Sequence, residues 1–169
     1  MIETPRLILR PFEETDIEEA FGWFGYSTVM QFTPAGPDKS LEQTKLRIRD
    51  YQAHQAAHGF SKWVMVERSS SRLIGDSGLF VLEEYGWVDL GFRLARMFWG
   101  KGLATEAASA WTHAAFEDYQ LSELGAFSHP DNVASMRVLE KLGFRPIRQA
   151  AVMGMEAVMF TLKSANLTP

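Results

Sequence analysis

The chain has 169 residues, 46% of them hydrophobic and 22% charged, with a formal net charge of -4 and no cysteine. That size and balance fit one folded domain, expected to span 1–169, and speak against extensive disorder. Mild acidity with no basic run argues against a nucleic-acid partner. The lack of cysteine excludes disulfides, thiolate metal sites and a cysteinyl acyl intermediate. No apolar run approaches the roughly 20 residues of a membrane span. The opening Met1–Arg6 lacks the basic start and apolar centre of a signal peptide. No membrane partner and a cytoplasmic location are therefore expected.

In chain order, Arg6–Arg10 reads as a strand closed by Pro11, and Asp16–Phe24 carries apolar residues at helical spacing. Ser27–Lys39, with Pro34, Gly36 and Pro37, reads as a loop. Ser40 and Gln43 form a capping-box pattern that predicts a helix from Leu41 to about His58, stopped by Gly59. Three strands follow: Phe60–Glu67, Leu73–Leu82 and Trp87–Leu94, with turns at 68–72 and 83–86. The rhythm then changes to a loop over Ala95–Gly102, a helix over Leu103–Tyr119 and a short strand over Leu124–Ser128. A helix over Asn132–Leu142 stopped by Gly143 comes next, then two strands over Arg145–Ala151 and Glu156–Leu162. The order predicts a mixed α/β sheet flanked by helices, with a parallel crossover between Trp87 and Ser128.

His54 and His58 stand four residues apart, a spacing open to metal ligation. Gln55 follows His54, however, and no His-Glu-x-x-His motif is present. A polar helix face with no metal is expected.

Gly100-Lys-Gly-Leu-Ala-Thr105 joins a strand to a helix. Glycines let successive N–H groups turn toward one point, and a helix start adds unpaired donors and a positive dipole end. The segment therefore suits an anion. Lys101 and the Thr105 hydroxyl are further potential donors. Two familiar phosphate motifs fail here. A P-loop requires glycine five positions before Gly100 and Ser or Thr after Lys101, where this chain has Ala95 and Gly102. The dinucleotide motif requires glycine at Thr105.

The run Trp99-Gly-Lys-Gly102-Leu-Ala104 resembles the pyrophosphate loop Q/R-x-x-G-x-G/A of the GNAT superfamily of N-acetyltransferases, with Trp99 where Arg or Gln is usual. Asn132 to Phe144 is similar to that family's second cofactor motif, N-x-x-S-x-x-x-x-x-K-x-G-F. The opening Thr4-Pro-Arg-Leu-Ile-Leu-Arg-Pro11 is similar to the start of the ribosomal-protein N-terminal acetyltransferase branch. Together the three segments carry the resemblance from residue 4 to about 162.

The resemblance implies a mostly antiparallel sheet splayed between its fourth and fifth strands, with acetyl-CoA in the opening. The backbone of Leu90–Leu94, including Phe92, Arg93 and Leu94, would pair with the pantetheine arm. Gly100, Lys101, Gly102, Leu103, Ala104 and Thr105 would hold the pyrophosphate. Asn132 and Ser135 would meet the pantetheine or the sulfur side, and Lys141 the phosphorylated end. Asn132 is equally a good N-cap whatever it binds.

The implied reaction is acetyl transfer to a primary amine, on a protein N-terminus or a small molecule. With no cysteine, direct transfer in a ternary complex is the simplest route. It requires a base, oxyanion stabilisation and support for a leaving thiolate. Asp89 is the candidate base, with Glu106 and His129 as alternatives. Many relatives carry Tyr seven positions after the motif Asn. This chain has Leu139 there, so either Ser135 or solvent would serve the thiolate. A non-catalytic acyl-CoA-binding module remains an alternative, and a homodimer is compatible with these features.

Overall fold

A computed structural model describes residues 1–166. Its spine is one eight-stranded sheet in the order β1-β2-β3-β4-β5-β6-β8-β7. The strands are β1 (Ile2–Glu3), β2 (Leu7–Arg10), β3 (Lys62–Glu67), β4 (Leu73–Leu82), β5 (Trp87–Leu94), β6 (Glu123–Ser128), β7 (Arg145–Val152) and β8 (Met155–Lys163). The helices are α1 (Ile17–Phe24), α2 (Ser27–Met30), α3 (Leu41–His58), α4 (Leu103–Glu117) and α5 (Val133–Lys141). β1 and α2 are additions to the sequence reading. The first has two residues and the second four, too short for either periodicity to register.

The helix boundaries follow from local chemistry. The Ser40 hydroxyl accepts from the Gln43 N–H, and the Gln43 side chain accepts from the Lys39 N–H, so α3 starts where the capping pattern placed it. At the other end Gly59 N–H closes on Gln55 carbonyl. Asn132 caps α5 by accepting from the Ser135 N–H at 3.2 Å.

Strand alternation gives β5 two different faces. Leu90 and Leu94 turn toward α4 and join the main core with Trp63, Ile74, Leu79, Ala107, Trp111 and Phe160. Asp89, Gly91 and Arg93 turn the other way, toward α1 and α3. A second core of Phe12, Trp23, Phe24, Ile48, Tyr51 and Val64 sits on that side. At about 25 cal/mol per Å² of apolar surface, such burial is the main source of stability.

All sheet pairings are antiparallel except β5 with β6, which are parallel and share one register pair, Asp89 opposite Gly125. The indole of Trp87 occupies the space where a side chain at Gly125 would lie. Beyond this point the two strands part. The opening is the one expected between the fourth and fifth strands; the short β1 raises each count by one.

His54 on α3 ties the helix to the sheet. Its Nδ1–H donates to the Phe60 carbonyl at 2.9 Å, and its Nε2 accepts from the Val81 N–H at 2.9 Å. These partners fix a neutral tautomer and leave no lone pair for a metal. Burial lowers its pKa; the Phe60 carbonyl opposes the shift, and His58 and Lys62 add to it. Unfolded histidine titrates near 6.5, so below about pH 6.5 the unfolded chain binds the extra proton first and stability falls. Melting temperature measured from pH 7.5 to 5 is expected to decline, with a shallower decline in His54→Gln.

Candidate active site

The loop between β5 and α4 presents bare backbone. Gly100 and Gly102 have φ of 74° and 77°, a region that non-glycine residues reach at about 1–2 kcal/mol. Gly102 is the N-cap of α4 and supplies no side-chain acceptor. The first N–H groups of the helix, at Leu103, Ala104 and Thr105, are thus left for an external anion, whereas α3 and α5 satisfy theirs with Ser40 and Asn132. The Lys101 ammonium lies 5.0 Å over the Phe98 ring, turned aside from the loop's anion site.

The N-terminal motif braces this loop. The Glu106 carboxylate accepts from the Thr4 hydroxyl at 2.6 Å, the Arg6 N–H at 2.8 Å and Arg6 Nε at 2.6 Å. Arg6 Nη1 then donates to the Lys101 carbonyl at 2.8 Å. Burial opposes ionisation of Glu106, but the hydrogen bonds from Thr4 and Arg6 outweigh it and hold its pKa low. Glu106 is therefore a structural anchor with its oxygens occupied, which removes it as an alternative base. Glu106→Gln is expected to weaken coenzyme A binding about threefold to tenfold by loosening the loop. Calorimetric titration would test this, and an unchanged dissociation constant would separate the brace from cofactor binding.

Trp99, the departure from the usual Arg or Gln, donates its indole N–H to the Leu94 carbonyl at 2.7 Å. That carbonyl is thereby taken, and the strand edge left for a ligand shortens toward Leu90–Arg93. The Arg96 guanidinium covers the indole at 4.7 Å.

On the facing helix, Asn132 spends its side-chain oxygen on the cap. Ser135 is half-buried and Lys141 exposed. Leu139 is 1% exposed and belongs to the core, so no proton donor replaces the missing Tyr at that position.

The centre of the opening holds a buried ion pair. Asp89 is 7% and Lys62 8% exposed. Lys62 Nζ donates to Asp89 Oδ2 at 3.3 Å and to the Gly78 carbonyl at 2.9 Å. Gly91 leaves the room that Lys62 fills; a side chain there would strike the ammonium. Asp89 Oδ1 has no hydrogen-bond partner. Burial pushes the Asp89 carboxyl up and the Lys62 ammonium down, with their mutual attraction opposing both shifts. Sequence reasoning missed Lys62. Its signal was alternation: it shares a strand face with Val64, which is fully buried.

The Arg93 side chain is occupied elsewhere. It donates to Asp76 at 2.5–3.2 Å and to the Tyr51 hydroxyl at 2.7 Å. Its pKa rises despite burial because of Asp76 and Tyr51. His129, the other alternative base, stacks on Phe32 with ring centres 5.0 Å apart, and its Nδ1 accepts from the Asp131 N–H at 3.1 Å.

One cavity of about 840 Å³ runs through the opening. On the α4–α5 side its walls are Gly100, Gly102, Leu103, Ala104, Thr105, Asn132, Ser135 and Lys141. In the middle are Asp89, Phe92, Arg93 and Leu94. On the α2–α3 side are Val29, Phe32, Tyr51 and Phe80. Of the cofactor residues and first-choice catalytic residues expected from sequence, all but Lys101 line it; the alternative bases Glu106 and His129 do not.

Residues 6–145 match the acetyltransferase (GNAT) domain family. The chain belongs to the GNAT acetyltransferases. Among its relatives, the uncharacterized N-acetyltransferase YoaA of Bacillus subtilis is 31% identical over 147 residues, covering 86% of this chain and 82% of that protein. The fold is similar to the ribosomal-protein-S5-alanine acetyltransferase from Vibrio fischeri, with a TM-score of 0.78 at 18% identity over 99% of this chain and 98% of that one. An aminoglycoside acetyltransferase solved with coenzyme A gives a TM-score of 0.77 at 18% identity, covering 95% and 96%. This GNAT chain is an N-acetyltransferase with a mixed sheet flanked by helices. None of its helices, among the described residues, is long and apolar enough to cross a membrane.

Proposed function

We propose that this GNAT enzyme moves an acetyl group from acetyl-CoA to a primary amine by direct transfer within a ternary complex. The observation that carries the reading is one continuous cavity with an uncapped helix start at one end and the half-satisfied Asp89 carboxylate in the middle. The residues present fit the donor. Bare N–H groups at Leu103–Thr105 suit a pyrophosphate, Lys141 adds a cation on the same wall, and the Phe92 region offers an apolar strand edge for the pantetheine arm. Bound there, acetyl-CoA would supply a thioester carbonyl to the opening.

The chain's own groups do the rest. The Asp89 carboxylate receives the proton that the attacking amine gives up as the C–N bond forms and the C–S bond breaks. Lys62 holds one carboxylate oxygen and fixes the orientation. A proton from solvent, directly or relayed through the Ser135 hydroxyl, completes the coenzyme A thiol, and Asp89 returns its proton to solvent, so an uncharged amine and the thioester become an amide and a thiol. A free α-amine titrates near 7.7–8.0, and a carboxyl raised by burial is the better matched acceptor. Ser135, which lines the cavity on the α5 wall, would hydrogen-bond the sulfur.

Thiol release from acetyl-CoA, followed against peptides and small amines, tests this. Amine-dependent release in step with acetylated product is expected. Coenzyme A binding with no turnover on any amine would favour a non-catalytic acyl-CoA-binding module.

A further inference from the structure

We infer that the acceptor is a monoamine carried on an apolar, aromatic-sized body, and that the site works against polycations; this rests on the acetyl-transfer reading above. The α2–α3 wall of the cavity is built from Val29, Phe32, Pro34, Tyr51, Phe80 and Leu82. The ring of Phe80 is held between His54, with centres 3.9 Å apart, and Tyr51, at 6.1 Å. A wall fixed in this way is a preformed apolar surface for a flat or branched hydrocarbon.

The charges beside this wall are matched within the protein. Arg47 donates to Asp38 at 2.6 Å, Arg93 to Asp76 at 2.5 Å, and Lys62 to Asp89 at 3.3 Å. Asp89 lines the cavity with a side chain 10% exposed, and its buried Oδ1 is the one buried carboxylate oxygen, among the described residues, left without a partner. Asp131 also lines the cavity, but on the α5 side, and its side chain is 82% exposed to water. The Glu83 and Glu84 side chains are exposed and outside the lining. One ammonium thus finds one carboxylate. A second or third ammonium would lose water against aromatic carbon near Arg47 and Lys62; the remaining carboxylates on that side are Asp38, paired with Arg47, and the exposed Asp50, both outside this cavity's lining.

The reaction is unchanged: the C–S bond breaks, the C–N bond forms, and the amine's proton passes to Asp89. Selectivity comes from what the rest of the acceptor touches. Burying one ring against this wall, set against an uncompensated ammonium, gives an expected preference on the order of 100-fold.

The experiment compares kcat/KM for 2-phenylethylamine, a peptide amide beginning with Phe, spermidine and an aminoglycoside. In parallel, melting temperature is measured with coenzyme A and each amine, a readout independent of turnover. Expected are a kcat/KM at least tenfold higher for an aromatic amine than for either polycation, and thermal shifts in the same order. The two aromatic arms tell a free amine from a chain N-terminus. Phe32→Ala should raise KM for the preferred aromatic amine about tenfold without moving KM for acetyl-CoA. Polycations used or bound as well as the aromatic amines would overturn the inference while sparing acetyl transfer, and so would binding of no amine in the thermal arm. Aromatic binding with no turnover would instead count against the acetyl-transfer reading alone.

Discussion

Asp89→Asn is expected to lower kcat by about 10²–10³-fold, which corresponds to roughly 3–4 kcal/mol of transition-state stabilisation. The affinity for coenzyme A should stay within about twofold of the parent. Asparagine keeps the size and one acceptor oxygen, so Lys62 retains a partner at 3.3 Å or close to it and the fold should hold. What is lost is the capacity of the carboxylate, whose Oδ1 has no partner in the resting site, to take a proton. The pH profile separates this role from a merely structural one. Because burial raises the Asp89 pKa, the acid limb of kcat should lie above the ordinary carboxylate value of about 3.9, and it should vanish in Asp89→Asn. Lys62→Met removes the nearest positive charge opposing that rise, leaving Arg93 as the remaining cation and Asp76 as a nearby like charge. Its acid limb should therefore move to higher pH. Full activity of Asp89→Asn at every pH would place the base elsewhere, with His129 the next residue to test.

What could be read in the sequence was what depends on near neighbours. The α3 cap at Ser40–Gln43, the stop at Gly59, the meander of β3 to β5 and the glycine loop before α4 are all local, spanning a few residues each. They were enough to locate the opening, because the switch from antiparallel to parallel pairing follows from one crossover between β5 and β6. The contacts that shape the site are long-range and leave no local trace. Lys62 and Asp89 are 27 residues apart, and Arg6 and Glu106 are 100 apart. Glu106 looked like a possible base because the sequence gives its position near the loop but not the three hydrogen bonds that consume it. The Thr4–Arg6 part of the opening motif was legible as a likeness and not as a mechanism. Its reason, a brace on the loop carbonyl of Lys101, appears only in three dimensions. Arg10 of the same motif has a separate task, pairing with the buried Asp16 ahead of α1 at 2.7 Å. Lys101 has its side chain resting on Phe98, which leaves the backbone N–H as the donor it would offer in the loop.

Gly102→Glu is expected to reduce coenzyme A affinity at least about 100-fold. At an effective dielectric constant near 20, a carboxylate about 5 Å from a phosphate charge is disfavoured by roughly 3 kcal/mol. The same substitution forces a side chain into the left-handed region, at φ of 77°, and places it beside Arg6, whose Nη2 lies 3.5 Å from where the first carbon would stand. Two different effects are thus combined, and Gly102→Ala divides them. Alanine meets the backbone strain of about 1–2 kcal/mol without the charge, so it should lower melting temperature while weakening coenzyme A only a few-fold. Titration calorimetry with coenzyme A and with its dephospho form gives the remaining control. The pyrophosphate is common to both ligands, so Gly102→Glu should weaken them by the same factor. Equal losses in the alanine and glutamate variants would mean that loop shape alone governs binding. Unchanged affinity in Gly102→Glu would move the pyrophosphate away from the start of α4.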